Sequence, residues 1–180
     1  MKNTTKMNTE RTTIDDDLRI EKNSLGQEIY VFDPYNPLNK QISKSEISDI
    51  LKKYGVDAPI HNYELYKRSF IHHSHLRRPD LENEQNNVKI VDKPENCLSL
   101  NTKSNERLEF VGDGILECIT KYILYRRFPK ENEGFMTEKK IALVKNEAIG
   151  RLAYEMGLHN WIILSKNAEQ KQTRNNLKKL

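Results

Sequence analysis

Asn105-Glu106-Arg107-Leu108-Glu109-Phe110-Val111-Gly112-Asp113-Gly114 places three acids and two glycines within ten residues. Wound as an α-helix at about 100° per residue, the stretch sets Glu106, Glu109 and Asp113 at about 0°, −60° and −20° around the axis. Three carboxylates then share one narrow stripe. Like charges at this spacing destabilise an isolated helix, so the arrangement asks for a compensating charge, and a divalent cation is the obvious candidate. Leu108, Val111, Ile115, Ile119, Tyr122 and Ile123 fall on the far side, at about 140–260°, so one face can be buried while the other presents acids. Gly112 and Gly114 lie mid-helix, where each costs about 1 kcal/mol relative to Ala and permits another backbone to approach. From these residues alone, an ordinary amphipathic helix with a solvated acidic face competes with the functional reading.

Working outward, the helix is expected from about Ser104 to Arg127, stopped before Pro129. A further helix is expected from Thr137, as N-cap, to about Met156, with Ile141, Val144, Ala148, Leu152 and Met156 as a continuous apolar stripe. Gly157 fits its C-terminal cap. Trp161-Ile162-Ile163-Leu164 reads as a short buried segment, and periodicity is lost from Ser165 onward. Upstream, a helix from Ser43 or Ser45 to about Tyr54, closed by Gly55, precedes one spanning Tyr63 to His75. Residues 79–104, rich in Asn, Glu and Lys, read as an inserted surface loop that exceeds the connections usual in compact domains by about 15–20 residues. Glu28–Phe32 suits a short strand or an extended arm, and Asp33–Pro37 a turn. Residues 1–24 carry Asp15-Asp16-Asp17 and few apolar groups, and read as disordered. The domain expectation is therefore a polar, largely disordered extension over 1–40 and one all-α domain over 41–180.

Composition narrows the class. The 180 residues are 36% hydrophobic and 31% charged, with net charge +4. No apolar run approaches the length of a membrane-spanning helix, and Met1 to Thr13 lacks the apolar centre of a signal peptide. Cys97 and Cys118 are the only cysteines, too few for a disulfide framework, so an intracellular, reducing compartment is expected. Between Ser165 and Leu180, Lys166, Lys171, Arg174, Lys178 and Lys179 face only Glu169. This basic tail suits phosphate contacts, with a solvated surface as the equal alternative. His72, His73 and His75 have poor helical spacing for a metal and read as capping or core residues.

Glu106 through Gly114 resemble the signature helix of the ribonuclease III family, E-R-L-E-F-L/V-G-D followed by a small residue, position by position. Two weaker matches occur in the family's order. Phe70-Ile71-His72-His73-Ser74-His75 resembles L-T-H-x-S-Y, with His72 and Ser74 in the matching places. Phe128 to Thr137 resembles F-P-x-x-x-E-G-x-M-S/T. The resemblance covers roughly residues 60–180 and implies the helical endonuclease-domain fold. It implies Glu109 and Asp113 as metal ligands, with Glu106 and Glu133 lining the same catalytic cleft in auxiliary roles. Glu133 equally suits a helix N-terminal acid, favoured by the dipole, and Glu106 a structural ion pair. Glu117 lies on the same stripe near +20°, where the pattern does not require an acid, and reads as surface.

The chemistry is consistent with that implication. Phosphodiester hydrolysis needs an activated water and charge stabilisation at the attacking and leaving oxygens, which Mg²⁺ supplies, with Mn²⁺ as a substitute. Mg²⁺ takes oxygen ligands and keeps several waters, so the site should be acidic, rigid and open. The family's second acidic pair, Asp-x-x-Glu, is expected beyond the loop matching Ser165–Asn175 and is not in this chain. Neither is a double-stranded-RNA-binding domain. The expectation is a C-terminally incomplete endonuclease domain, weak in metal binding and cleavage as it stands. The resemblance further implies a homodimer around A-form RNA, read by shape, phosphates and 2′-hydroxyls, and cleavage to 5′-phosphate and 3′-hydroxyl ends. The Asn- and Lys-rich style, polar extension and inserted loop look similar to giant-virus members, which would place the protein in host cytoplasm. A non-catalytic ribonuclease III-like RNA-binding module and a helical scaffold with an incidental acidic stripe are the alternatives.

Overall fold

A computed structural model describes residues 18–81 and 88–176. Six helices carry the fold, and a small sheet flanks them: β1 (Leu18–Lys22), β2 (Glu28–Phe32), α1 (Lys44–Lys53), α2 (Tyr63–Ser69), β3 (Val88–Ile90), α3 (Glu106–Arg127), α4 (Glu133–Val144), α5 (Asn146–Glu155) and α6 (Lys166–Gln170). The mainly helical expectation holds. The sheet is the first departure from a purely helical chain. β1 pairs antiparallel with β2, Leu18 opposite Phe32, and β3 pairs parallel with β2, Tyr30 opposite Val88.

The hairpin lies inside the segment expected to be largely disordered. Its local cause is the turn. Asn23 Oδ1 accepts the Leu25 and Gln27 N–H groups, both at 2.9 Å, and Gly26 takes φ +77°, a left-handed backbone that glycine adopts without strain. Residues 1–17, with the Asp15–Asp17 run, lie outside the described residues. The 79–104 segment is likewise more than a surface loop. Val88–Ile90 adds a strand to the hairpin, and Leu76 bridges to Asn101; residues 82–87 lie outside the described residues.

α1 forms as its sequence dictates. Ser43 Oγ accepts the Glu46 N–H, Glu46 accepts the Ser43 N–H at 2.7 Å, and Lys52 and Lys53 sit in the last turn, each favourable to the helix ends. Gly55 follows at φ +81°. The second helix ends early. α2 stops at Ser69, and Ile71 pairs with Ile163 in a parallel bridge. His72 N–H donates to the Ile163 carbonyl at 3.1 Å, and Ile163 N–H donates to Phe70 at 2.8 Å. An extended His72 serves this bridge better than another helical turn, and its Nδ1 caps the Ser74 N–H of a 3-10 turn over His73–His75.

The helix expected from Thr137 to Met156 is two helices. It starts four residues earlier, because Asn132 Oδ1 accepts the Phe135 N–H at 2.9 Å and caps α4. It breaks at Lys145, whose extended ψ of 144° ends α4 and opens α5. The break keeps its backbone bonds: Lys145 N–H donates to Ile141, and its carbonyl accepts from Ala148 at 2.8 Å. Gly157, at φ +73°, closes α5 as expected.

The core gathers Val31, Phe32, Pro34, Ile42, Ile47, Ile71, Ile163, Leu164 and Ala168, most of them from irregular chain. Polar side chains lock this region. Asn39 Nδ2 donates to the Leu164 carbonyl at 2.8 Å while its Oδ1 accepts the Leu164 N–H at 3.0 Å, which imitates a strand pair. Arg174 grips Glu169 through Nε at 2.9 Å and Nη2 at 2.6 Å, and Asn36 Nδ2 donates to the same carboxylate at 2.8 Å. Burial pushes the Glu169 carboxyl up, but the hydrogen bonds from Arg174 and Asn36 hold it, on balance, below its ordinary value. The basic tail is thus partly consumed by the fold: Arg174 serves Glu169, and Lys166 pairs with Asp33 at 2.8 Å.

Candidate active site

The start of α3 is tied into the core before the acids appear. Asn105 N–H donates to the Ile71 carbonyl at 2.8 Å, and Arg68 Nε to the Ser104 carbonyl at 2.8 Å. Ser104 is buried, and its hydroxyl donates to Glu106 Oε2 at 2.8 Å. Glu106 therefore sits in the first turn of α3 with its carboxylate anchored, a geometry its proposed structural role would also give. Sequence reasoning missed Ser104 and Arg68 as supports; the serine two residues before an N-terminal acid is the signal that pointed there.

From this anchored end the helix runs out into solvent. Glu109 and Asp113 are one turn apart on it, both exposed. Neither carboxylate makes a hydrogen bond or ion pair among the described residues. Two exposed acids of like charge at i and i+4 repel, and they stay available to a cation. Two carboxylates with open surroundings suit Mg²⁺, which commonly takes one or two protein carboxylates with waters and substrate phosphate.

Glu117, one turn beyond Asp113, is different. Its Oε1 accepts from Lys121 Nζ at 2.9 Å and from Lys140 Nζ of α4 at 3.0 Å. Those two hydrogen bonds hold its carboxyl below the ordinary range. The Lys140 bond also fixes how α4 folds back on α3 after the turn at Phe128–Asn132, where Phe128 and Phe135 meet edge to face. In that register Glu133 is level with about Leu124, roughly 16 Å along the helix from Asp113. Glu133 is the first residue of α4, and its carboxylate accepts the Thr137 hydroxyl at 2.8 Å. The structure thus keeps Glu109 and Asp113 together, places Glu106 at the same helix's start, and does not bring Glu133 beside them. No three His, Cys, Asp or Glu residues are grouped to hold a metal among the described residues.

The apolar side of α3, expected to be buried, is open. Val111, Ile115, Ile119, Tyr122 and Ile123 are each more than half exposed, and Leu124 is the helix's one buried residue. The reason is that α3 packs mainly on α4, which itself buries no residue. His72 caps, as described, and His75 is fully buried. Cys97 and Cys118 are free thiols. No helix among the described residues is long and apolar enough to cross a membrane.

An acid-bearing helix thus projects from a small helical core. The nuclease domain of ribonuclease III from Campylobacter jejuni superposes with a TM-score of 0.55 at 18% identity, covering 76% of this chain and 78% of that one; that structure concerns flexibility in the region involved in its dimer formation. Residues 106–179 match the model of the Ribonuclease III domain, and the chain belongs to the ribonuclease III family. A probable ribonuclease 3 of Acanthamoeba polyphaga mimivirus is 30% identical over 145 residues, 79% of this chain and 26% of its own length. Ribonuclease 3 of Enterococcus faecalis is 31% identical over 122 residues, 68% of this chain and 44% of its own length. The chain spans about a quarter to a half of the length of such relatives.

Proposed function

We propose that the protein is a double-stranded-RNA endoribonuclease that hydrolyses phosphodiester bonds, leaves 5′-phosphate and 3′-hydroxyl ends, acts in RNA processing, and works inside the cell as a homodimer. The carrying observation is the unpaired Glu109–Asp113 turn on an intact family signature. Bound there, Mg²⁺ (or Mn²⁺) would activate water and stabilise the leaving oxygen. Glu109 and Asp113 would hold it. Glu106, oriented by Ser104, would bond to its waters, the usual office of such outer residues. Glu133 belongs to the catalytic set by family resemblance, and its distance from Asp113 suits a role at another part of the cleft. The exposed apolar side of α3 supports the homodimer, since a patch including Ile115, Ile119 and Tyr122, at 54%, 51% and 61% exposure, is of the kind that marks association surfaces.

The test is cleavage of a long end-labelled RNA duplex in millimolar Mg²⁺. Expected are 5′-phosphorylated fragments whose rate falls about 100-fold or more in Glu109→Gln and Asp113→Asn, the loss of several kcal/mol of metal-borne stabilisation. A duplex that is bound yet stays intact at every metal concentration, both with this chain and with a version extended by an Asp-x-x-Glu-bearing helix, would instead establish a non-catalytic RNA-binding module.

A further inference from the structure

The acidic stripe of α3 does not end at Asp113. Glu117 continues the same stripe near +20°, at the same i, i+4 spacing that joins Glu109 to Asp113. Geometrically, Asp113 and Glu117 form a second pair as good as the first. The difference lies in what faces them. Among the described residues Glu109 and Asp113 meet no basic group, whereas one oxygen of Glu117 carries two ammonium groups, at 2.9 and 3.0 Å. Lys121 comes from Glu117's own helix and is 61% exposed. Lys140 comes from α4 and is 20% exposed, so its position is held by the α3–α4 contact.

We propose that Lys140 is a positioning residue that masks Glu117 and so confines a divalent cation to the Glu109–Asp113 turn. This rests on the reading of Glu109 and Asp113 as cation ligands. Without the mask, Asp113 has a carboxylate on either side, and an ion can slide one turn, about 6 Å, along the helix. A slipped ion would be misplaced for any phosphate aligned on Glu109, and misplacement of an ångström already degrades catalysis. Lys121 alone is a weaker mask, because an exposed i, i+4 pair is screened by solvent and held by little else.

The experiment is Mn²⁺ titration of the 180-residue chain, with free Mn²⁺ read by electron paramagnetic resonance, beside thermal unfolding of each variant. Glu117→Gln should bind Mn²⁺ like the parent, since the masked carboxylate contributes nothing. Lys140→Ala should bind about threefold tighter or more, because a third carboxylate joins the site. Lys140→Ala with Glu117→Gln should return to the parent value, and Lys140→Arg should stay there throughout. A Lys140→Ala variant that binds no tighter, or whose gain survives Glu117→Gln, overturns the mask. Glu109→Gln with Asp113→Asn reads the underlying assignment separately. If that double variant binds Mn²⁺ as the parent does, or if the parent binds none, the ligand assignment itself fails, whatever Lys140 does.

Discussion

Two regions of this molecule use polar side chains in opposite ways. Where residues 33–42 meet 163–174, buried Asn36 and Asn39 and half-buried Glu169 and Arg174 satisfy one another and the backbone beside them. On α3, Glu109 and Asp113 project into solvent and bond to nothing in the described structure. The first region spends its polar groups on holding irregular chain together, because a segment with few helix or strand ladders must pair its buried backbone through side chains. The second withholds its polar groups from the fold, which leaves them open to the ion proposed above. On that proposal stability and function are carried by different residues, and substitutions should separate them.

Arg174→Ala should produce the greatest loss of stability. It leaves a largely buried carboxylate with only Asn36, and removing one partner of such a pair costs about 2–4 kcal/mol, a fall in melting temperature of roughly 5–15 °C for a chain of this size. Glu109→Gln, by contrast, should change stability by less than about 0.5 kcal/mol, or raise it slightly by relieving repulsion with Asp113. Circular-dichroism melts of both variants test the division directly. Comparable losses from the two substitutions would show that the stripe is part of the folded state's support, and the contrast between the regions would collapse.

That division explains what could be read in advance. Periodicity and capping chemistry are local, so α1 with Ser43 and Gly55, α3 with its stop before Pro129, and the Gly157 cap were all readable from residues a few positions apart. The signature stripe was readable because its acids lie within one helix. What could not be read depends on distant partners. α2 ends at Ser69 because Ile71 finds Ile163, and β3 forms because Tyr30–Phe32 offer Val88–Ile90 an edge. Arg174 looked like a phosphate-binding tail residue and is instead Glu169's partner. Lys145 breaks an apolar stripe that the sequence carries straight through, since Ile141, Val144, Ala148 and Leu152 keep their spacing across a kinked backbone. The exposure of α3 was hidden for the same reason: an apolar face announces that it needs cover, not what the cover is.

Acid should act on the core region in two steps. His75 is fully buried, and burial lowers its imidazole below the ordinary value; burial, with Arg174 nearby, does the same to His159. A histidine whose folded pKa is depressed is protonated first in the unfolded chain. Its contribution is complete above about pH 6.5 and declines as pH falls below that value. Glu169, also depressed by its partners, contributes above the ordinary carboxylate range and loses that contribution as pH falls through its lower folded value. Urea midpoints should therefore drop between pH 7.5 and 5.5 and again below about pH 4.5. His75→Gln should flatten the first step and leave the second. Parallel curves for parent and variant would mean that His75 does not titrate differently on unfolding.

Two helix caps of the same chemistry supply the finest comparison. Ser43 caps α1, whose Ile47 is buried and whose neighbour Ile42 is fully buried. Asn132 caps α4, which buries no residue. Each side chain accepts a third-residue N–H, and each removal costs its helix about 1 kcal/mol. The global readout should differ. α1 unfolds with the core, so Ser43→Ala should lower the melting temperature by about 2–4 °C. α4 is joined chiefly to the projecting α3, so Asn132→Ala should appear first as local opening: faster amide exchange over Glu133–Val144, with a smaller shift in the global melt. If Asn132→Ala lowers the melting temperature as far as Ser43→Ala, the α3–α4 hairpin unfolds cooperatively with the core, and the exposed acids stand on a platform as firm as the residues behind them.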